Sequence, residues 1–197
     1  MIRNAQLFDV ELDTDRPINV ASVAHRSPFR YAGGKTWLVP YIRRWLRVHD
    51  RKRARFFEPF AGGAIVGLTV AFNELAEHVT LVELDQDVAA VWKAILGPSA
   101  EYLVNRIRTF PLSVKAAERI FHDRARSTIN RAFQTLLRNR LQHGGILAPG
   151  ASMMKKGENG KGPFSRWYPE TLERRVREIH ALRGRISFAR GDAFDFM

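Results

Sequence analysis

Cysteine is absent from the 197-residue sequence, which excludes disulfide bonds, thiolate catalysis and thiolate metal ligands. The six histidines are scattered, with no helix-spaced pair beside a carboxylate, so the sequence predicts no metal site. No apolar run approaches the roughly 18 residues that cross a membrane. The N-terminus carries Asp9, Glu11, Asp13 and Asp15, unlike a secretory signal peptide. We therefore expect a cytoplasmic protein with no membrane segment.

Acidic residues are also few compared with basic ones. The sequence holds 20 Asp and Glu against 32 Lys and Arg, which gives a formal net charge of +12. Such an excess attracts polyanions, so nucleic acid is the favoured partner. The alternative is a soluble protein whose surface happens to be basic. The 45% hydrophobic content is ordinary for a globular domain and is enough for a core.

The order of predicted elements indicates the fold class. Short apolar strands are predicted at 55–60, 78–84 and 185–189, and apolar residues at helical spacing lie between them. The first two strands alternate with helices, which is typical of an α/β fold with a parallel sheet. The 99–143 stretch reads as helical, with its clearest apolar stripe at 125–142, and 143–168 reads as a long basic loop or hairpin.

These patterns divide the chain into four parts. They are a loose N-terminal arm at 1–26, an α/β core at 27–98, a mainly helical insertion at 99–168, and a return to the core at 169–197.

One turn carries the first chemical signal. The predicted strand at 55–60 runs into Glu58-Pro59-Phe60-Ala61-Gly62-Gly63 and opens a helix, and glycines there let backbone approach a ligand. The next strand reaches Glu83, where a carboxylate can accept two hydrogen bonds from a ribose diol. Pro59 lacks the N–H that a pyrophosphate would need, which favours a nucleoside without phosphates. The alternative is an ordinary strand–helix turn with a solvated acid.

Two motifs together resemble the Dam-type DNA adenine methyltransferase family. Residues 29–35, Phe-Arg-Tyr-Ala-Gly-Gly-Lys, resemble its N-terminal motif, and residues 58–63 resemble its Glu-Pro-Phe cofactor motif. Four further segments resemble its target-recognition region: Arg138-Asn139-Arg140, His143-Gly144-Gly145, Gly157-Glu158 and Pro163-Phe164-Ser165-Arg166-Trp167. Gly191-Asp192 resembles the acid that binds the adenine of the cofactor. The resemblance covers roughly residues 27–192.

The resemblance implies a Rossmann-like class I methyltransferase sheet, S-adenosylmethionine as cofactor and double-stranded DNA as partner. The cofactor-binding residues it implies are Tyr31, Gly33, Lys35, Glu58, Phe60, Gly62, Glu83 and Asp192. The DNA-binding residues it implies are Arg138, Arg140, Lys155, Lys156, Lys161 and Arg166. Plainer alternatives remain: Tyr31 as a core aromatic, Lys35 as a solvated charge, Asp192 as a turn cap, and the basic residues as a solvated face.

The family's catalytic Asp-Pro-Pro-Tyr motif is absent, so no catalytic residue is assigned. We expect a site-specific DNA adenine-N6 methyltransferase sequence that lacks this motif. The alternative is an inactive fragment that binds cofactor and DNA. An oxidoreductase that uses a dinucleotide is disfavoured by Pro59. Without the strand that the family places beside 55–60, the sheet would be incomplete, and we expect an edge there that favours self-association.

Overall fold

The computed structural model describes four ranges of the chain: 20–30, 34–49, 53–148 and 150–196. Within these ranges, three strands form one parallel sheet in the order β1-β2-β3. The strands are β1 at Arg55–Glu58, β2 at His78–Glu83 and β3 at Ile186–Arg190. The prediction of an α/β fold with a parallel sheet is therefore confirmed, and β1 pairs with β2 alone among the described strands.

Seven α-helices accompany the sheet in the described ranges. They are α1 at Val39–Val48, α2 at Ile65–Phe72, α3 at Gln86–Leu96, α4 at Ala100–Thr109, α5 at Val114–His122, α6 at Thr128–Leu141 and α7 at Pro169–Ala181. None of these described helices is long and apolar enough to cross a membrane.

Helix α2 is buried on nearly every side, because it packs against β1, β2 and α1. This environment explains why its sequence is apolar all round rather than along one stripe. Helix α3 begins at Asp85, whose side chain accepts the N–H groups of Asp87 and Val88 at 2.8 and 2.9 Å. Such a cap satisfies amides that the first helical turn leaves unpaired. Both helices thus begin directly after a strand, at the same edge of the sheet.

The predicted stripe on α6 is confirmed. Phe133, Leu136, Leu137 and Leu141 are all buried in the main hydrophobic core. Helix α6 packs on α3, and α4 packs on α7, so these helices share one core with the sheet.

The basic segment at 143–168 is more structured than a loop. An antiparallel bridge joins Gln142 to Met153, and the Gly162 N–H donates to the Lys156 carbonyl at 2.8 Å. Met154 and Trp167 are buried, and the Trp167 ring packs edge-on against two core phenylalanines. The segment is therefore fastened to the core at both ends, which agrees with the hairpin alternative.

Several predicted boundaries differ from the structure, including the end of β2, which lies at Glu83 rather than at residue 84. Strand β1 ends at Glu58 rather than at residue 60, because Pro59 has no N–H and Phe60 adopts a φ of 52°. Strand β3 covers 186–190 rather than 185–189. Most of the predicted N-terminal arm lies outside the described residues, but Val23 is buried beside Val39 of α1.

Candidate functional site

The carboxyl ends of the three strands meet at one edge of the sheet. The turn at 59–64 follows β1, Glu83 ends β2, and Asp192 follows β3. Two backbone hydrogen bonds tie these ends together: Ala61 N–H to the Val82 carbonyl at 2.8 Å, and Gly191 N–H to the Glu83 carbonyl at 3.2 Å. In open parallel α/β sheets this edge is where ligands bind.

The turn after β1 has an unusual backbone. Phe60, Gly62 and Ala64 have φ values of 52°, 50° and 49°, so every second residue is left-handed. Glycine adopts this conformation freely, whereas Phe60 and Ala64 each store local strain of about 1 kcal/mol or more. Such strain persists only where the surroundings fix the backbone. The turn is therefore shaped by its contacts rather than by its own preferences.

Three side chains hold the turn in place. The Trp92 Nε1 donates to the Gly62 carbonyl at 2.8 Å, and Glu83 Oε2 accepts the Gly62 N–H at 2.7 Å. Lys35 Nζ donates to the Phe60 carbonyl at 2.9 Å. Trp92 was not predicted as part of the site, because a tryptophan in the apolar helix α3 indicates only the core.

Glu83 lies where the sequence predicted the ribose-binding acid, at the end of β2. Its Oε1 accepts the Asp85 N–H at 3.0 Å, in addition to the bond from Gly62 to Oε2. An ionised carboxylate offers about four acceptor positions, so two internal bonds leave capacity for a ligand diol. The side chain is half-buried, which leaves one side open to a ligand. Glu83 can thus shape the turn and still accept hydrogen bonds from outside the chain.

The buried Glu58 carboxylate and the partly exposed Lys35 ammonium form an ion pair beside the turn. Glu58 is 4% exposed, and its Oε1 lies 2.8 Å from Lys35 Nζ. Its Oε2 accepts the Gly67 N–H at 2.6 Å. Burial raises the pKa of the Glu58 carboxyl, and the Lys35 charge and the Gly67 hydrogen bond oppose this rise. The alternative that Lys35 is a solvated charge is wrong.

Gly67 belongs to this arrangement, although the sequence interpretation missed it. A Cβ at residue 67 would lie 2.7 Å from both Glu58 Oε2 and Leu81 Cδ2. Only glycine lets α2 approach the Glu58 carboxylate and β2 so closely. A glycine inside an apolar helix is the signal that could have indicated it, because such glycines usually reflect close packing.

Asp192 is exposed, and its Oδ1 accepts the Phe194 N–H at 3.0 Å. The turn-cap alternative therefore describes one of its contacts. The Phe194 ring lies edge-on to the Phe60 ring, with centroids 5.9 Å apart, and both rings are more than half exposed. These two aromatics flank the sheet edge at which Asp192 and Glu83 lie.

The N-terminal motif is described only in part. Tyr31 and Gly33 lie outside the described residues, so their predicted roles stay predictions. Asn139 holds the adjoining segment: it accepts the Arg30 N–H at 2.8 Å and donates to the Arg30 carbonyl at 2.9 Å. It also donates to the Gly145 carbonyl at 2.9 Å. The Asn-Arg segment of α6 therefore fastens the approach to the N-terminal motif.

The six predicted DNA-binding residues fall into separate groups. Arg138 donates to the Phe121 carbonyl at 2.7 Å and lies 3.9 Å from Asp87, so it joins α6 to α5 and α3. The Arg140 side chain on α6 is buried, and Arg166 Nε lies 2.9 Å from Glu158 Oε1. The remaining three are exposed on the 143–168 segment: Lys155, Lys156 and Lys161. The structure thus brings together Arg140 and Arg166 but not the other four.

A cleft of about 1030 Å³ opens beside β1 and the turn. Residues 58–64 form one wall, and Phe56, Phe57 and Ile65 contribute an apolar surface. Another part of the lining is basic and contains Arg140, Arg166 and Arg175. The volume is at the upper end of what small-molecule sites usually occupy, so it suits a nucleoside with space for a further group.

The parallel sheet, the glycine turn after β1 and the acid at the end of β2 define a Rossmann-like methyltransferase fold. A family model described as D12 class N6 adenine-specific DNA methyltransferase matches residues 31–143. The chain belongs to this family, and the predicted resemblance to Dam-type DNA adenine methyltransferases is confirmed. The matched range includes the Lys35, Glu58–Gly63 and Asn139–Arg140 motifs. No curated protein shows a significant match to the chain.

Proposed function

We propose that the chain binds S-adenosylmethionine at the turn after β1 and serves site-specific methylation of adenine N6 in DNA. The observation that carries the proposal is the pairing of Glu83 with the Gly62 N–H at 2.7 Å, at the edge where the strands end. It puts a carboxylate with spare acceptor capacity beside a backbone turn that a nucleoside can approach.

The residues at this edge fit such a cofactor. Pro59 provides no N–H, so the first turn lacks the full amide cradle of a dinucleotide site. Glu83 would bind the ribose hydroxyls, and the exposed Asp192 would accept from the adenine amino group. Phe60 and Gly62 would border the methionine part. When bound, the cofactor supplies a methyl group on a positively charged sulfur.

Lys35 and Glu58 would support the turn. Their contacts are with each other and with the backbone of residues 59, 60 and 67. They would therefore hold the turn in its left-handed conformation, and Tyr31, Gly33 and Lys35 would complete the cofactor pocket from the N-terminal motif.

Double-stranded DNA is the proposed macromolecular partner. The net charge of +12 favours it, and the exposed lysines at 155, 156 and 161 are available to phosphates. Arg138 donates to the Phe121 carbonyl and lies 3.9 Å from Asp87, so part of its guanidinium is engaged inside the chain.

A second candidate is a fragment that binds cofactor and DNA without catalysis. The specific observation for it is the sequence itself, which contains no Asp-Pro-Pro-Tyr. That motif would supply the acceptors that orient the amino group of a flipped adenine and the ring that stacks on it. We propose that these 197 residues alone bind but do not methylate.

Self-association belongs to the same proposal. Strand β1 pairs with β2 on one side and with no strand on its other side within the described residues. An unpaired edge recruits another strand, and a second copy of the chain is the partner we propose. Sedimentation over a hundredfold concentration range should show a mass that rises with concentration, whereas a monomer throughout would contradict this.

Calorimetry with S-adenosylmethionine tests the cofactor assignment. Loss of a hydrogen bond to a charged group costs about 1.5–3 kcal/mol, so Glu83→Ala should weaken binding at least about tenfold. Glu77→Ala is the matched control, because Glu77 is exposed and precedes the first residue of β2, at the other end of the strand from Glu83. Equal affinities in the wild type and Glu83→Ala would refute the ribose assignment.

Transfer of labelled methyl separates the two candidate functions. Binding of cofactor and DNA without transfer supports the inactive fragment. Methyl incorporation at adenine N6 by the purified chain would refute the inactivity and support the active enzyme.

A further inference from the structure

Four arginines line the cleft beside the turn after β1: Arg30, Arg140, Arg166 and Arg175. They come from three separate parts of the chain: the segment before α1, helix α6, and the region from 166 into α7. Glu158 pairs with Arg30 at 2.8 Å and with Arg166 at 2.9 Å, so one acid serves the two outer arginines.

Among the described residues, Arg140 and Arg175 have no such acid. No described carboxylate lies within ion-pair distance of either guanidinium. Glu178 favours the charged form of Arg175 only from a distance, and its own ion-pair partner is Arg174 at 4.0 Å. The two inner arginines therefore carry positive charge that the described protein does not neutralise.

Burial makes this charge costly. Arg140 is 4% exposed, and the Nε atoms of Arg140 and Arg175 are both buried without a hydrogen-bond partner among the described residues. Burial, reinforced by the charges of Arg175, Arg30 and Arg166, lowers the pKa of Arg140 to about 9, which still leaves it protonated at neutral pH. A buried charge is normally paired, and an unpaired one is expensive.

A purely structural role accounts for part of this arrangement. Arg140 donates to the Pro28 carbonyl, and Arg175 donates to the Ser27 carbonyl at 2.9 Å, so both hold the segment before the N-terminal motif. However, a guanidinium has five N–H donors, and a carbonyl does not neutralise its charge. Both residues line the cleft, so guanidinium donors that these two carbonyls do not occupy lie beside a space that is open to a ligand.

We propose that Arg140 and Arg175 form a binding site for a ligand oxyanion in this cleft. The inference rests on the proposed function for the source of the anion, which is either a DNA phosphodiester or the carboxylate at the methionine end of the cofactor. Both groups have the planar or forked oxygens that guanidinium binds through two parallel hydrogen bonds. Residues 60–64 line the same cleft, so an anion on the cofactor or on bound DNA can reach these two arginines.

The first experiment uses inorganic phosphate and is independent of the proposed function. Thermal unfolding of the 197-residue chain is followed in phosphate and in chloride at equal ionic strength. The Tm of the wild type should rise with phosphate concentration and then level off. The rise in Arg175→Gln should be at most half as large. Arg174→Gln is the matched control, because it removes the same charge from an exposed neighbour on α7. Equal rises in wild type and Arg175→Gln would overturn the site.

Arg140→Lys provides the second variant, because loss of the buried charge at residue 140 could prevent folding. A lysine keeps the charge but lacks the forked pair of donors. The phosphate-dependent rise in Tm should therefore shrink in Arg140→Lys although the variant folds. A rise equal to that of the wild type would show that the guanidinium is not the anion's partner.

Two further arms identify the source of the anion. If the anion is the cofactor carboxylate, Arg175→Gln should weaken the binding of S-adenosylhomocysteine several-fold. The affinity for 5′-methylthioadenosine, which lacks the amino-acid end, should stay unchanged. For DNA, Arg175→Gln should instead reduce the salt dependence of duplex binding by about one unit of slope. A variant that changes neither would overturn the inference. Failure of the wild type to bind nucleoside or DNA would count against the proposed function, while the phosphate result would still decide the anion site.

Discussion

The cleft lining has two regions that hold buried charge: the turn wall, which contains Lys35 and Glu58, and the arginine wall, which contains Arg140 and Arg175. On the turn wall, the buried carboxylate of Glu58 has a cation 2.8 Å away and a backbone N–H at 2.6 Å. On the arginine wall, the buried guanidinium of Arg140 has a carbonyl but no acid among the described residues. Among the described residues, the Glu58 carboxylate has a counter-charge and the Arg140 guanidinium does not.

This difference indicates that the turn wall supports the backbone, whereas the arginine wall is available to bind a ligand. A complete ion pair holds backbone in place, and here it holds the left-handed turn through Lys35 and the carbonyls of residues 59 and 60. A buried guanidinium without an acidic partner retains positive charge and N–H donors that a ligand can bind. Substitutions should therefore lower stability on the turn wall and change ligand binding on the arginine wall.

Lys35→Met should give the largest effect. It leaves the Glu58 carboxylate buried without its cation, and loss of one partner of a buried pair costs about 3 kcal/mol. Protonation of Glu58 limits this cost. Chemical unfolding should show the decrease in the free energy of unfolding, while Lys115→Met on exposed α5 should change it by less than about 0.5 kcal/mol. Equal small changes in both variants would mean that the pair does not support the turn.

Gly67→Ala should destabilise the same wall by about 2 kcal/mol. The new methyl group would meet Glu58 Oε2 and Leu81 Cδ2 at 2.7 Å, so the pair or the strand must shift. Gly184→Ala is the control, because a Cβ there meets nothing within 4 Å. The comparison is read from denaturant midpoints, and a Gly67→Ala midpoint that matches the control would contradict the close approach.

The pH dependence of stability should carry a smaller signal from Glu58. Because its pKa is raised in the folded state above the ordinary 4.5, the folded chain retains a proton that the unfolded chain has released. Stability from this residue therefore falls as pH rises from 4.5 through the folded pKa. The difference in unfolding free energy, wild type minus Glu58→Gln, should decrease over this range. A difference that increases with pH would mean that the carboxyl is not destabilised by burial.

Glu158→Gln should give the smallest change in stability. Its pairs with Arg30 and Arg166 are partly exposed, and solvent screens such pairs so that they contribute little to stability. The variant frees two arginines on the arginine wall, so duplex DNA at low salt should bind more tightly. Glu118→Gln, on exposed α5, is the control. Fluorescence anisotropy with a labelled duplex measures the affinity, and weaker binding by Glu158→Gln would argue that this acid positions the arginines instead.

Much of the turn wall could be predicted from the sequence. The glycine turn, Pro59 and the spaced acid Glu83 are local signals, because neighbouring parallel strands present their ends at one edge. The family motifs at 29–35 and 58–63 indicated Lys35 and Glu58 as site residues. The ion pair between them could not be predicted, because it depends on where the segment before α1 lies relative to β1.

The arginine wall could be predicted only in part. Arg140 and Arg166 were expected to contact DNA from their position in the recognition motifs, but nothing local distinguished the buried Arg140 from the tied Arg138 two residues earlier. Arg175 lies in an ordinary amphipathic helix, and Asn139 carries no charge. Their roles arise from contacts across more than 100 residues of chain, with Ser27 and Arg30.

We propose that the strand ends around Glu83 bind the adenosyl part of the cofactor, and a crystal structure of the chain with S-adenosylhomocysteine would show whether they do. We expect the ribose hydroxyls against the Glu83 carboxylate, the adenine beside Asp192 and the amino-acid end directed into the cleft. A nucleoside bound elsewhere on the sheet, with Glu83 contacting only Gly62 and Asp85, would contradict it.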